Sequence, residues 1–163
     1  MSHAPTPVPA AQLAAVDALV ARFAKLPGPL LPLLHAVQDE LGFIPEGAIP
    51  TIASGLNLSR AEVHGVISFY HWFRSHPPGR HVVQLCRAEA CQAMNCEATE
   101  SHAKRALGVE YHGTSADGQF TLEPVYCLGN CAAGPSMMID GTLYGRVTPE
   151  RLEELLAQWR SRQ

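Results

Sequence analysis

The sequence lacks the segments that mark membrane-spanning and exported proteins. No stretch approaches the length of about 18 consecutive apolar residues that a membrane span requires, and the N-terminal MSHAPTPVPAAQ has no charged region followed by a long apolar run. The 12 lysines and arginines form no basic run and the formal net charge is -3, which argues against nucleic acid and anionic membranes as main partners. We therefore expect a cytoplasmic protein that neither inserts into a membrane nor binds nucleic acid.

Motifs for nucleotide binding and for hydrolysis are missing as well. No G-x-G-x-x-G follows a predicted strand, no G-x-x-x-x-G-K occurs, and no serine, histidine and aspartate set stands out. The eight histidines, among them His64, His71 and His81, have no metal-binding spacing next to the cysteines, so we interpret them as surface or partly buried polar residues. We therefore expect the chain alone to have no catalytic activity and to bind neither NAD nor flavin.

What is present divides into a helical half and a mixed half, so the predicted fold class is α+β. Residues 1–12, rich in alanine and proline, are predicted to be a disordered lead-in, and residues 13–74 a bundle of four short helices. Residues 75–80 contain two prolines and a glycine and are the predicted linker. Residues 81–163 form the second predicted domain.

Local signals place the four helices of the first half. Apolar residues at helical spacing mark residues 13–23 and 29–41, and a shorter helix is predicted over residues 45–56, where Pro50 limits its start. Ser59 and Glu62 have the spacing of a capping box at the start of the fourth helix.

The second half has the predicted order strand, helix, strand, β-hairpin, helix. Residues 81–86 predict a strand and residues 91–107 a helix. The strand that follows contains Pro124, which is expected either to bend the strand or to place it at an edge. Asp140 and Gly141 between two apolar runs indicate a tight hairpin turn. Thr148 and Pro149 supply the N-cap and first residue of the last helix.

Four of the five cysteines form two pairs, each at the end of a predicted strand. Cys86 and Cys91 have C-x4-C spacing, and Cys127 and Cys131 have C-x3-C spacing. A reducing cytosol makes a disulfide framework unexpected, so metal binding or redox chemistry is the favoured role.

Four thiolates suit zinc or an iron-sulfur cluster. Structural zinc sites generally use tighter C-x2-C pairs, whereas a [2Fe-2S] cluster accepts two wider pairs, one for each iron, so the spacing favours the cluster. A zinc-stabilised interaction module and redox-active or inert thiols remain the alternatives. Gly129 and Gly134 beside the second pair either let backbone amides approach cluster sulfur or are ordinary turn glycines. Cys96 is predicted to turn away from the first pair within the helix and to be a buried, small apolar residue.

Several stretches together resemble a known protein family: LLPLLHAVQDELGFIPEGAI, AEVHGVISFYHWF, the C-x4-C pair and CLGNCAAGPSMMID. They are similar to the 24 kDa-type [2Fe-2S] subunit of NADH dehydrogenase and its relatives in NAD-linked hydrogenases and formate dehydrogenases. The resemblance covers about residues 15 to 160. Within this family, CRAEACQAM and the short length most resemble the gamma subunit of soluble NAD-dependent molybdenum formate dehydrogenase.

The resemblance implies an N-terminal helical bundle followed by a thioredoxin-like domain that carries the cluster. It implies Cys86, Cys91, Cys127 and Cys131 as the ligands of one [2Fe-2S] cluster, with Cys96 outside the ligand set. We predict a cis Gly134–Pro135 peptide bond, because thioredoxin-like folds often carry a cis-proline before a strand. A free-standing ferredoxin of this type would not need residues 13–72.

The function implied is electron transfer within a multisubunit NAD-dependent formate dehydrogenase. FMN and NAD are expected on a neighbouring subunit and the molybdenum cofactor on the catalytic subunit. The equivalent subunit of respiratory NADH dehydrogenase or of NAD-linked hydrogenase is the alternative. The aromatic stretch ISFYHWF, residues 67–73, belongs either to the interface with the flavin subunit or to the core of the helical half.

Overall fold

The computed structural model describes residues 8–162, and its chain divides into two compact units, Met1–Pro77 and Pro78–Gln163. The first unit contains four α-helices, with a short 3-10 helix, Glu46–Ala48, before the third. These helices are α1 (Ala10–Phe23), α2 (Leu30–Leu41), α3 (Ile49–Leu56) and α4 (Arg60–Phe69).

The start of α1 corrects one sequence prediction. The predicted disordered lead-in covered residues 1–12; its residues 1–7 lie outside the described part of the chain, but residues 10–12 already belong to α1. Pro9 occupies the N-cap position, and the alanines that follow it are the strongest helix formers. The alanine-rich composition that we interpreted as disorder therefore begins a helix.

Other helix boundaries follow the local signals. Ser59 caps α4: its hydroxyl accepts from the backbone N–H of Glu62, and the Glu62 carboxylate accepts from the Ser59 backbone N–H at 2.8 Å, which is the predicted capping box. Pro50 lies in the first turn of α3, where its missing N–H costs nothing. All four helices contribute side chains to one hydrophobic cluster, whose fully buried members include Val16, Leu33, Leu34, Val37, Ile52 and Val63.

The second unit contains a four-stranded sheet and three helices. Its elements in chain order are β1 (His81–Cys86), α5 (Glu89–Ala93), α6 (Cys96–Leu107), β2 (Phe120–Val125), a 3-10 helix (Cys131–Ala133), β3 (Met137–Ile139), β4 (Thr142–Tyr144) and α7 (Pro149–Arg160). The strand order is β2-β1-β3-β4, with β1 and β2 parallel and the other two pairings antiparallel. This order agrees with the predicted strand, helix, strand, hairpin and helix, except that two helices, α5 and α6, lie where one was predicted.

Local sequence signals account for the edge strand β2, the turn between β3 and β4 and the start of α7. Pro124 lies in β2, which is an edge strand as predicted. Asp140 and Gly141 join β3 to β4 with φ angles of 45° and 80°, the left-handed pair that a tight hairpin turn requires. The Thr148 hydroxyl accepts from the backbone N–H of Arg151 at 3.3 Å and caps α7.

The helix predicted over residues 91–107 is instead two helices. α5 ends at Ala93 and α6 begins at Cys96, because Asn95 has a left-handed conformation with φ of 62°. Asparagine is among the few residues other than glycine that adopt this conformation readily. This break changes the direction of the chain between Cys91 and Cys96.

The core of the second unit lies between the sheet and the helices α6 and α7. Its fully buried side chains include Val83, Phe120, Leu122, Met137, Ile139 and Leu152. None of the helices within residues 8–162 has the length and apolar character needed to cross a membrane.

Candidate metal centre

The parallel pairing of β1 and β2 brings both cysteine loops to one edge of the sheet. Cys86 ends β1 and is paired in register with Val125, which ends β2 two residues before Cys127. The backbone N–H of Arg87 donates to the Val125 carbonyl at 2.7 Å and extends the pairing past the strand ends. The two loops therefore leave the sheet side by side.

Cys86 and Cys91 form the buried half of the site. Their exposed fractions are 3% and 1%, and α5 carries Cys91 back towards the end of β1. Burial raises the pKa of the Cys91 thiol, and a hydrogen bond with Cys86 raises it further, while the Ser136 backbone acts in the opposite direction. These two thiols therefore contact each other in an apolar setting.

Cys127 and Cys131 form the exposed half of the site. Their sulfur atoms are 3.8 Å apart, and the backbone N–H of Gly129 donates to Cys127 Sγ at 3.3 Å. The hydrogen bond and the charge of Cys127 raise the pKa of the Cys131 thiol. Backbone N–H donors to sulfur are characteristic of iron-sulfur sites, where they tune the cluster.

Gly134 lies between the two halves. A β-carbon added to Gly134 would lie 3.4 Å from Cys91 Sγ, 3.6 Å from the Cys131 carbonyl oxygen and 2.9 Å from Met94 Sδ. The small size of glycine therefore matters here for close approach, whereas its φ angle of -69° is one that any residue adopts. The Gly134–Pro135 peptide bond is cis, as predicted from the sequence.

The chemistry and grouping of these donors fit a two-metal cluster better than a single ion. A structural zinc ion needs four ligands around one centre, whereas a [2Fe-2S] cluster takes two thiolates at each iron. Two cysteine pairs in the loops that follow the parallel strands β1 and β2 fit the second arrangement.

The position of Cys96 differs from its prediction. It is buried, with 6% exposed, but it packs with Cys86 and Cys91 in one cluster instead of turning away from them. The physical reason is the break at Asn95, which starts α6 at Cys96 and directs this residue back to the pair. Burial, followed by the nearby charge of Glu100, raises the pKa of the Cys96 thiol.

Three of the histidines within residues 8–162 pair with carboxylates. His81 Nδ1 lies 2.6 Å from Asp140 Oδ2, and His102 and His112 contact Glu153 and Glu123 at 2.8 Å and 2.6 Å. His81 is 7% exposed, so its interpretation as a surface or partly buried residue was wrong. It is buried because β1 begins under α7, where its ring lies 5.1 Å from that of Trp159.

Sequence reasoning did not identify an ion-pair network beside the buried cysteines. Arg87 Nε lies 2.8 Å from Glu100 Oε2, and Lys104 Nζ lies 3.0 Å from Glu100 Oε1. Two features of the sequence indicate that these charges lie near the cysteines. Arg87 directly follows Cys86, and Glu100 lies four residues after Cys96, on the same face of a helix.

Comparison with known proteins gives a family match over most of the chain. The model of the thioredoxin-like [2Fe-2S] ferredoxin family matches residues 16–160. A subunit of NADH-quinone oxidoreductase from Pseudomonas aeruginosa is 39% identical over 123 residues, which cover 76% of this chain and 74% of that protein. The HndA subunit of NADP-reducing hydrogenase from Solidesulfovibrio fructosivorans is 30% identical over 132 residues, which cover 81% of this chain and 77% of that protein.

A solved structure shares the fold. It is a chain of NAD+-reducing [NiFe]-hydrogenase in the H2-reduced state, with a TM-score of 0.67 and 22% identity. The similarity covers 82% of this chain and only 22% of that longer chain. The predicted thioredoxin-like fold and the predicted family resemblance are confirmed by these matches.

Proposed function

The chain belongs to the thioredoxin-like [2Fe-2S] ferredoxin family, and we propose that Cys86, Cys91, Cys127 and Cys131 hold one [2Fe-2S] cluster. The observation that carries this proposal is the position of both cysteine pairs at one edge of the sheet, with Gly134 next to Cys91 Sγ and the Cys131 carbonyl oxygen. Such a cluster supplies one-electron transfer when bound. The chain itself contributes the thiolates, the Gly129 amide beside Cys127 and the burial of Cys86 and Cys91.

We assign the chain as the electron-transfer subunit of an NADH dehydrogenase or NAD-linked hydrogenase type of complex. The matching subunits of NADH-quinone oxidoreductase and of NADP-reducing hydrogenase support this assignment, since each aligns with this chain over about three quarters of its own length. Formate dehydrogenase, the main prediction from the sequence, has less support than this alternative. A molybdenum-containing partner is part of that less supported assignment, whereas a flavin- and NAD-binding partner is common to both. A cytoplasmic location remains a prediction.

The helical unit supplies a surface for that flavin-binding partner. We propose that α1–α4 pack as a four-helix bundle, supported by their shared hydrophobic cluster. Within the aromatic stretch, Phe73 is buried in this cluster, but Phe69, Tyr70 and Trp72 are 73%, 42% and 53% exposed. Exposed aromatic side chains close together are typical of interface cores. The stretch therefore serves both roles that the sequence left open, with the exposed rings available to the partner.

Metal analysis of the full chain purified without air tests the cluster. We expect about two irons and two acid-labile sulfides per chain, a coloured protein and a rhombic S = 1/2 EPR signal after reduction with dithionite. Stoichiometric zinc in a colourless, EPR-silent protein that also resists cluster reconstitution would instead indicate a zinc-stabilised module. Co-purification of iron-loaded chain with a flavin-containing subunit tests the assignment to a complex separately.

A further inference from the structure

A charged network lies against the buried cysteines without supplying any of the proposed ligands. Glu100 accepts from Arg87 at 2.8 Å and from Lys104 at 3.0 Å. Arg87 follows Cys86 at the end of β1, and Glu100 lies about one turn after Cys96 on α6. Both charges are thus fixed by the same elements that position Cys86 and Cys96.

The network lines the same small cavity as two of the buried thiols, Cys86 and Cys96. The cavity has a volume of about 10 Å³, about the space that one water molecule needs. Cys86, Cys96, Arg87, Glu100 and Tyr111 contribute to its lining. The Glu100 side chain is 13% exposed and that of Arg87 is 37% exposed, so the charge of Glu100 in particular is poorly screened by solvent.

Both charged side chains line the same cavity as Cys86 and Cys96, and Cys96 packs against Cys86 and Cys91. A negative charge added at the neighbouring cysteine pair would therefore be attracted by the Arg87 guanidinium and repelled by the Glu100 carboxylate.

We propose that Arg87 and Glu100 set the reduction potential of the cluster from opposite directions. The inference rests on the proposed function, because it takes Cys86 and Cys91 as cluster ligands. Reduction adds one electron, and therefore one negative charge, to the cluster. The Arg87 guanidinium favours that reduced state, and the Glu100 carboxylate disfavours it. Glu100 is also a positioning residue, because it holds the guanidinium through the 2.8 Å contact.

The test compares Arg87→Gln, Arg87→Lys and Glu100→Gln in the full, cluster-loaded chain. The midpoint potential is measured at neutral pH by EPR-monitored redox titration, together with iron and sulfide content. We expect Arg87→Gln to lower the potential, Glu100→Gln to raise it and Arg87→Lys to remain near the parent. A purely structural role predicts a different result, since either neutral substitution breaks the same ion pair and the two shifts would then have the same sign.

Arg160→Gln is the matched control. Arg160 Nη2 forms an ion pair with Asp117 Oδ2 at 3.1 Å, and Asp117 precedes β2, at the opposite end of that strand from Cys127. Six residues of strand separate the two ends by about 20 Å. Arg160→Gln removes one positive charge, as Arg87→Gln does, but it should leave the midpoint potential unchanged.

The outcomes separate this inference from the proposed function. A parental chain without iron and sulfide overturns both. If the parental chain holds the cluster, three results would overturn only the role of the two charges. Arg87→Gln and Glu100→Gln could shift the midpoint potential in the same direction, shift it no more than Arg160→Gln does, or leave it unchanged. If Glu100→Gln does not assemble a cluster, Arg87→Gln and Arg87→Lys decide: a lower potential in the glutamine variant alone supports the inference, and equal potentials overturn it.

Discussion

Gly134 and Met94 occupy adjoining space at the cysteine site: a β-carbon added to Gly134 would lie 2.9 Å from Met94 Sδ. Met94 is 43% exposed and has a flexible side chain, so it can move away. The next atom in the path of a larger side chain is Cys91 Sγ, at 3.4 Å from the same β-carbon. Gly134 thus holds open the space next to a proposed ligand.

Substitutions at Gly134 should therefore differ by size. We expect Gly134→Ala to retain the cluster with Met94 displaced, and Gly134→Val to lose most of its iron, because branched methyl groups overlap the buried Cys91 sulfur. Iron per chain after anaerobic purification measures both. Met94→Ala is the control and should retain iron. Full iron content in Gly134→Val would show that this space does not limit the site.

The five cysteines should separate into four ligands and one structural thiol. Cys91→Ala removes a proposed ligand and should abolish the rhombic EPR signal, whereas Cys96→Ala should retain about two irons per chain. Both residues are buried, at 1% and 6% exposed, so the two alanine variants should lose similar amounts of packing. Cys96→Ala should lower the free energy of unfolding by on the order of 1 kcal/mol. Loss of iron in Cys96→Ala would place this thiol among the ligands.

The cap of α7 gives a prediction on stability alone. Thr148→Ala removes the hydroxyl that accepts from the Arg151 N–H, and it should lower the free energy of unfolding by about 1 kcal/mol. Thr148→Ser retains the acceptor and should cost less. Denaturant unfolding of the two variants measures the difference, and equal stabilities would mean that the cap does not contribute.

Asp140 should be more sensitive than its position in a turn suggests. Its carboxylate accepts from the Val82 N–H at 2.8 Å and lies 2.6 Å from Nδ1 of the buried His81. Asp140→Ala removes both acceptors and places alanine at a φ of 45°, so we expect a loss of about 2 to 3 kcal/mol. Asp140→Asn tolerates this φ angle and retains one acceptor, so its loss should be smaller. Thermal unfolding compares the two, and similar losses would argue against the hydrogen-bond explanation.

Features set by neighbouring residues could be predicted from the sequence. The capping box at Ser59, the hairpin turn at Asp140 and the cap at Thr148 each depend on side chains within a few residues, and the structure contains all three. The grouping of four cysteines into two pairs could also be predicted from the sequence, because each pair follows a predicted strand. Parallel strands then bring their carboxyl ends to one edge.

Features set by tertiary contacts could not be predicted. The helix pattern of residues 91–107 does not reveal the left-handed Asn95, so the sequence placed Cys96 on the wrong side. The contact of Arg87 with Glu100 joins the end of β1 to α6, and the burial of His81 depends on α7 packing over β1. The positions of Arg87 and His81 thus depend on contacts with helices that follow later in the chain, α6 and α7.

The exposed rings of the helical unit give the prediction for assembly. Phe69 and Trp72 are more than half exposed, while Phe73 beside them belongs to the core. If the exposed rings are anchors for the flavin-binding subunit, the double substitution Phe69→Ser and Trp72→Ser should weaken the complex by about 30-fold or more, as expected for aromatic hot spots.

Leu26→Ser is the matched control, because Leu26 is 46% exposed in the same unit and lies outside the aromatic stretch. Affinity is measured with purified, cluster-loaded chain and the flavin-containing subunit, and iron content is determined for each variant. Since the substitutions leave the four proposed ligands unchanged, the EPR signal should remain that of the parent while binding is lost. Unchanged affinity in the double variant, or equal losses in the double variant and in Leu26→Ser, would show that these rings do not anchor the partner.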